Sequence, residues 1–433
     1  MKRVRALDRY TLQFRLEKPR PRFIYTIADN SLYGAVAREV IEHYADRTQE
    51  HPVGTGAFKL GAWRRSSLVT LDRNPDFREE LYDAQPNADD AAGQALLQRF
   101  KGRRLPMVDR VEVSIIEETQ PRWLSFLNRE FDLIFPVPLD FVNFAVPGNK
   151  LAPNLAKKGI GMDRMVNPDV TLFYFNMDDP VVGGYTADKV ALRRAIGLAT
   201  DVQREITQVR RSQAVPAQTT ISPGAFGFDP DYKTENSDYS PARAKALLDL
   251  YGYVDRDGDG WRDRPDGRPL TIEYATTPDA LSRQFDELWK KNMDAVGVRV
   301  QFRTAKWPEQ LKAARAGQLM VWSLGYSAAS PDMQESFQIL YGPASGGQNL
   351  ARFKHERFDE IYEKLQVLPD GPERLALIRE GLKIVAAYAP HHYNDHRIVT
   401  DLTQPWLVGY RRPPYGRQFW QYVDIDDSQR SKR

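Results

Sequence analysis

The 433-residue sequence predicts an α/β protein, and three observations carry that prediction. Short runs alternate apolar and polar residues with a period of two, as half-buried strands do. Longer segments repeat their apolar residues at helical spacing and begin and end on capping residues. In the second half these alternate in the order β-α-β-α-β, which implies parallel strands joined by right-handed crossovers.

Taken in order, the chain opens on MKRVRALDRYTLQFRLEKP, where Leu7, Tyr10, Leu12 and Phe14 read as a strand. Its basic residues are not followed by the apolar run of a signal peptide. HPVGTGAFKLGAWRRSSLVTLDRNPDF, residues 51–77, sets Gly54 and Gly56 before two strand-like runs. A phosphate-cradling loop would open a helix and end in Gly-Lys-Ser/Thr, so this segment is expected to be a turn entering a β-hairpin. Residues 83–93 read as a surface loop, and the polar end from Asp426 to Arg433 as frayed.

In YSPARAKALLDLYG, Ser240 stands at an N-cap, Pro241 at the first helical position and Gly252 just past the end. Leu270, Ile272 and Tyr274 then alternate as a strand, residues 279–296 form an amphipathic helix stopped by Gly297, and Val298, Val300 and Phe302 form the next strand. A helix over 308–316 and a strand over 319–324 complete the unit. Ligands of open α/β sheets bind beyond the carboxyl ends of the strands, so the following loop, GYSAASPDMQESF at 325–337, is expected to line any crevice. In LRRAIGLATD, Arg193 and Arg194 are expected on the solvated side of a helix whose Leu192, Ile196 and Ala199 face inward.

Composition excludes several functions. With 61 basic and 58 acidic residues, the net charge of +3 gives no field that would draw nucleic acid or an anionic membrane. There is no cysteine for thiol catalysis, thiolate metal sites or disulfides, and no apolar run long enough to span a bilayer.

Several segments together resemble the family 5 extracellular solute-binding proteins, the dipeptide-, oligopeptide- and nickel-binding components of ABC importers. PVGTGAFKLGAW with LDRNPDF, FYFNMDDP with KVALRRAIGLATDVQREI, YSPARAKALLDLYGYVDRDGDGWRD, and Gln348-Asn349 before Phe353 with Phe358-Asp359 follow the order and spacing of that family's recurrent segments. The resemblance implies a bilobed periplasmic-binding-protein-like (type II) α/β fold. Residues 1–166, with the return segment 401–433, would supply lobe I, and residues 167–400 lobe II. It also implies that the first lobe is incomplete, with a signal peptide and an N-terminal part of that lobe expected ahead of Met1. The implied function is capture of peptides or similar small polar solutes outside the cytoplasm and delivery to membrane permease subunits, by a monomer with no catalysis and no nucleic acid.

Peptide-binding members of the family carry, on the loop matching residues 325–337, an aromatic residue and three positions later an aspartate that pairs with the peptide ammonium. Tyr326 matches the aromatic, but Ala329 stands at the aspartate position. Asp332 is the nearest acid, either as a substitute or as a solvated turn residue beside Pro331. The candidate binding set is therefore Trp322, Tyr326, Ser327, Ala329, Asp332 and Asn349. No cofactor is expected apart from Ca2+ in VDRDGDGWRDRPDG, where Asp255, Asp257, Asp259, Asp263 and Asp266 occupy calcium-loop positions; the alternative is a plain helix-to-strand turn. HHYNDH, residues 391–396, raises an alternative function, a metal-dependent hydrolase; on a strand its histidines would lie too far apart to chelate one ion, and a surface or hinge-side position is the expectation.

Overall fold

A computed structural model describes residues 4–29, 33–416 and 418–430. The chain divides into two compact units, one of Met1–Thr26 with Val166–Ile398 and one of Ile27–Met165 with Val399–Arg433. The segment up to Thr26 thus groups with the later residues and not, as expected, with the first lobe. The physical reason is Arg22, whose Nη2 donates to the Leu365 and Leu368 carbonyls at 2.6 and 2.9 Å. Its single expected strand is a short hairpin, Val4–Ala6 against Leu12–Phe14.

In the larger unit, strands Arg299–Thr304, Thr271–Thr276, Val321–Ser327, Asp169–Phe175 and residues 391–398 of the strand His391–Thr403 lie side by side in that order. The first three are mutually parallel and are joined by the helices Ala280–Asp294 and Trp307–Arg315, which is the β-α-β-α-β run read from the sequence. Asp169–Phe175 runs antiparallel to its neighbours on both sides.

Strand alternation divides the apolar side chains between two cores. Val170, Leu172, Tyr174, Ala275 and Trp322 join one cluster, whereas Phe173, Phe175, Tyr274 and Val321 join the other. Both faces of the central strand are covered, and all seven of its residues are buried. Each fully buried large apolar side chain contributes roughly 1.5–3 kcal/mol relative to exposure.

Local chemistry sets the element ends. Ser240 Oγ accepts from Arg243 N at 3.3 Å, and Gly252 leaves the helix at φ +79°, a region that favours glycine. Asp279 caps the helix Ala280–Asp294 through Ser282 N at 2.9 Å. The two arginines of LRRAIGLATD depart from expectation. Arg193 is only 1% exposed, and its guanidinium donates to the carbonyls of Val182, Gly184 and Tyr388 at 2.7–3.1 Å. Arg194 donates to Ala386 and Ala387. Tyr388 ends the helix Pro372–Tyr388, so these cations satisfy unpaired carbonyls at the negative end of its dipole.

In the smaller unit, Phe58–Arg64, Leu68–Arg73 and Arg110–Ser114 form an antiparallel sheet. The VGTG segment leads into this hairpin, as expected, and Asn74 Nδ2 ties Gly56 O at 2.9 Å. The loop expected over 83–93 is shorter, because Asp90 accepts from Gly93 N at 3.0 Å and starts the helix Ala91–Phe100. The polar end holds a short helix, Asp427–Arg430, and residues 431–433 lie outside the described residues. A separate core gathers Trp123, Phe126, Ile134 and Val142 with Leu402 from the return segment.

Candidate functional site

The parallel strands Thr271–Thr276 and Val321–Ser327 end at a cavity of about 270 Å³ in the larger unit. Its walls are aromatic: Tyr274, Phe285, Trp289, Trp307 and Trp322. Strand geometry delivers Tyr274 and Trp322, and the two crossover helices deliver the rest. Trp307 and Trp322 lie 6.4 Å apart, Tyr274 and Trp289 4.3 Å apart.

Two acids and two cations share the lining: Glu205, Asp286, Arg210 and Arg397. Both cations are already paired. Arg210 Nε sits 3.2 Å from Asp395 Oδ2 and its guanidinium covers the Phe285 ring at 4.7 Å. Arg397 holds the fully buried Asp169 through Nε and Nη2, each at 2.7 Å. The acids are not matched by base. Asp286 accepts a hydrogen bond from Thr276 Oγ1 at 2.8 Å, and burial, with Asp279 nearby, pushes its carboxyl up to about 6. Glu205 stands on a single π-helical turn, Glu205–Val209, an irregularity frequent at functional sites. Burial first, and then the Asp395 charge, raise it well above the usual carboxylate range.

The sequence-derived residues fall in different places. Trp322 lines the cavity, 2% exposed. Tyr326 is half-buried against the core that holds Trp322, outside the lining, and burial raises its phenol. Ser327 and Ala329 are exposed, with Ala329 N donating to Glu335 Oε2 at 3.2 Å. Asp332 is neither solvated nor open to a ligand: it is 4% exposed and gripped by Arg374 through Nη1–Oδ2 at 2.7 Å and Nη2–Oδ1 at 3.0 Å, with Arg22 Nε 3.3 Å away. Asn349 is fully buried, its amide spanning the Tyr341 and Phe353 carbonyls at 3.0 and 2.8 Å, which makes it the organiser of a turn.

In the acidic loop, carboxylate oxygens of Asp255, Asp257 and Asp263 lie within 4.8 Å of one another. The other two acids are drawn away. Asp259 pairs with Arg299 at 2.6 Å, and Arg268 holds Asp266 at 2.6 Å, keeping that carboxyl low, at about 2. Asp255 accepts from Gly258 N and Gly260 N at 2.7 and 2.9 Å. Five calcium-loop positions thus reduce to three carboxylates, two of them exposed.

His391–His396 is neither on the surface nor a chelating cluster. All six residues are buried in the strand His391–Thr403. His392 stacks on Phe173 at 4.8 Å, and His396 Nδ1 meets Asp169 O at 2.6 Å. Burial drives His391 and His392 down to about 3 and 4. Among the described residues these histidines belong to no group of three or more ligand-type side chains, and nothing supports the hydrolase alternative.

The acids at the cavity, Glu205 and Asp286, were not singled out from sequence. The π-helical turn under Glu205 has no sequence signature, and Asp286 looks like any polar residue of an amphipathic helix.

A parallel α/β unit with an aromatic crevice beyond its strand ends is the architecture of a ligand-binding protein. The sequence profile of the bacterial extracellular solute-binding proteins, family 5 (middle region), matches residues 1–348, and the chain belongs to that family. Its members are substrate-binding components of ABC importers with the bilobed type II fold, carriers and not enzymes. Di/tripeptide-binding protein 2 of Pseudomonas aeruginosa (strain UCBPP-PA14) is 23% identical, over 98% of this chain and 72% of the relative. The dipeptide-binding protein of Escherichia coli (strain K12) is 22% identical, over 98% and 71%. The oligopeptide-binding protein AppA of Bacillus subtilis, solved in complex with a nonapeptide, superposes with a TM-score of 0.74 at 16% identity, covering 98% of this chain and 78% of that one.

Proposed function

We propose that this carrier captures short peptides or similar small polar solutes outside the cytoplasm and hands them to membrane permease subunits as a monomer. The observation that carries the reading is the crevice at the carboxyl ends of Thr271–Thr276 and Val321–Ser327, apolar and aromatic in its walls with a few fixed polar groups. The peptide-binding names of two relatives support the choice of solute. No helix among the described residues is long and apolar enough to cross a membrane, so a permease would have to supply the membrane passage. The acidic loop acts here as a helix-to-strand turn held by its own hydrogen bonds and arginine pairs, and no cofactor is needed for capture.

Trp289, Trp307 and Trp322 all line the crevice, so occupancy should change tryptophan emission. The test is a fluorescence and calorimetric titration with di- to pentapeptides, the ligand being recovered and weighed by mass spectrometry afterwards. Saturable binding with the peptide recovered intact is expected. Absence of binding across the whole series, or cleaved peptide, would overturn the reading.

A further inference from the structure

Two buried carboxyl groups meet in the crevice wall beside one cation. Glu205 lines the crevice from its π-helical turn, and its carboxyl lies within hydrogen-bonding reach of that of Asp395, a residue with no exposure. Arg210 Nε reaches Oδ2 of Asp395 at 3.2 Å, whereas Oδ1 is buried with no hydrogen-bond partner. Asn394 Nδ2 donates to Glu205 Oε2 at 2.8 Å. Ionised carboxylates only accept hydrogen bonds, so two of them in contact repel each other, whereas one proton turns one partner into a donor to the other. Such a pair titrates as a unit.

The surroundings add no charge that would relieve the repulsion. On the strand His391–Thr403, Arg397 is engaged by Asp169, and burial lowers His396 toward its neutral form. The strand Thr271–Thr276 brings Tyr274, whose phenol burial holds protonated, and the helix Ala280–Asp294 brings Asp286, pushed up to about 6. Arg204 and Arg211, on either side of the turn, both donate to Gln208. The strand Ala214–Pro216, which pairs with Asp395, carries no titratable side chain, and Thr171 pairs with Asp395 from the other side. Above the range of Asp286, the carboxyl pair is what changes charge in this wall.

We propose that Glu205 and Asp395 form a proton site in the crevice wall, sharing one proton that a bound solute holds in place, so that capture is tighter below the titration of the pair than above it. A solute over Glu205 displaces water from a group already little hydrated, and less water favours the uncharged, protonated member. Binding takes up a proton wherever the free pair has begun to lose it. By linkage, affinity is full below the titration of the free pair and falls as the pH rises through it. The inference deepens the reading of the crevice as the capture site and rests on it, adding a proton as co-ligand.

The test compares wild type with Glu205→Gln, a nearly isosteric change whose amide keeps an acceptor for Asn394 and a donor for Asp395 and cannot titrate. In the solute-free proteins, infrared difference spectra should show a protonated-carboxyl band in wild type that persists above about pH 7, fades at higher pH and is missing from Glu205→Gln. Trialanine, titrated calorimetrically in buffers of different ionisation enthalpy, should take up a fraction of a proton more with wild type than with the variant, a comparison that cancels the peptide's own titration. Between about pH 7 and 9 the wild-type affinity should fall at least threefold further than that of the variant. A band already gone at about pH 7, or equal proton uptake and equal pH profiles in the two proteins, would overturn the proton site while leaving peptide capture intact. Should Glu205→Gln fail to fold, Asp395→Asn serves in its place: removing that charge should make the band fade at lower pH, and an unmoved band would overturn the site. Failure of trialanine to bind at any pH would overturn the peptide reading and the linkage with it, and the infrared band would still decide whether the proton is shared.

Discussion

Substituting Asp332 with asparagine separates a structural role from a ligand-binding one. The change removes a carboxylate that grips the fully buried Arg374 bidentately and that Arg22 also approaches. Asp370 remains, 2.9 Å from Arg374 Nη1, but it is half-exposed and reaches that nitrogen alone. Leaving a buried charge without its partner costs about 3–5 kcal/mol, and the surviving Asp370 contact places Asp332→Asn near the lower end, at about 3 kcal/mol. For a unit of this size each kcal/mol moves the midpoint by roughly 2–4 °C, so thermal unfolding should drop by about 6–12 °C. Peptide affinity, measured calorimetrically well below the new midpoint, should stay within about twofold. Adding Arg374→Met to Asp332→Asn should recover part of the loss, because an absent ion pair is less harmful than a broken one. An unchanged midpoint combined with a tenfold loss of affinity would refute the reasoning and return Asp332 to the binding site.

Two further outcomes follow from buried groups. His391 is held neutral by burial, with its folded value depressed to about 3, so the stability it contributes is full above the unfolded value of about 6.5 and is lost as the pH falls. Between pH 7 and 5 that loss is about 2 kcal/mol; His391→Phe should gain that much relative to wild type over the interval, and parallel pH profiles in denaturant unfolding would contradict it. Gly381 lies inside the helix Pro372–Tyr388, where alanine is ordinarily the better helix former by about 1 kcal/mol. A Cβ there would meet Phe337 Cε2 at 2.6 Å, a ring with no exposure that packs against Phe358, so Gly381→Ala should destabilise by about 1–3 kcal/mol; a raised midpoint would show that the ring can move.

What the sequence disclosed was local. Ser240, Pro241 and Gly252 act within one helix, and the β-α-β-α-β run depends on apolar spacing inside each segment, so both could be read without knowing any long-range partner. The misreadings share a different cause. Arg193 sits on a helix that looks solvated from its own sequence, yet its acceptor, Tyr388 O, is 195 residues away. Asp332 looks like a turn acid until Arg374 closes on it from 42 residues downstream. Asp259 fits a calcium position until Arg299 takes it, 40 residues on. The crevice itself is assembled from segments near residues 171, 205, 274, 286, 322 and 394, and no short window of sequence contains both Glu205 and Asp286.

The placement of Asp169–Phe175 has a consequence for how the chain matures. This strand is made before both of its neighbours, Val321–Ser327 and His391–Thr403. Until Val321–Ser327 has been made, this largely apolar ribbon has both hydrogen-bonding edges bare, and until His391–Thr403 has been made it keeps one, the condition in which nascent polypeptides stick to one another. A product stalled before residue 391 would keep one edge open indefinitely, so the risk of edge-to-edge association in this molecule is set by topology and not by the strand's own sequence.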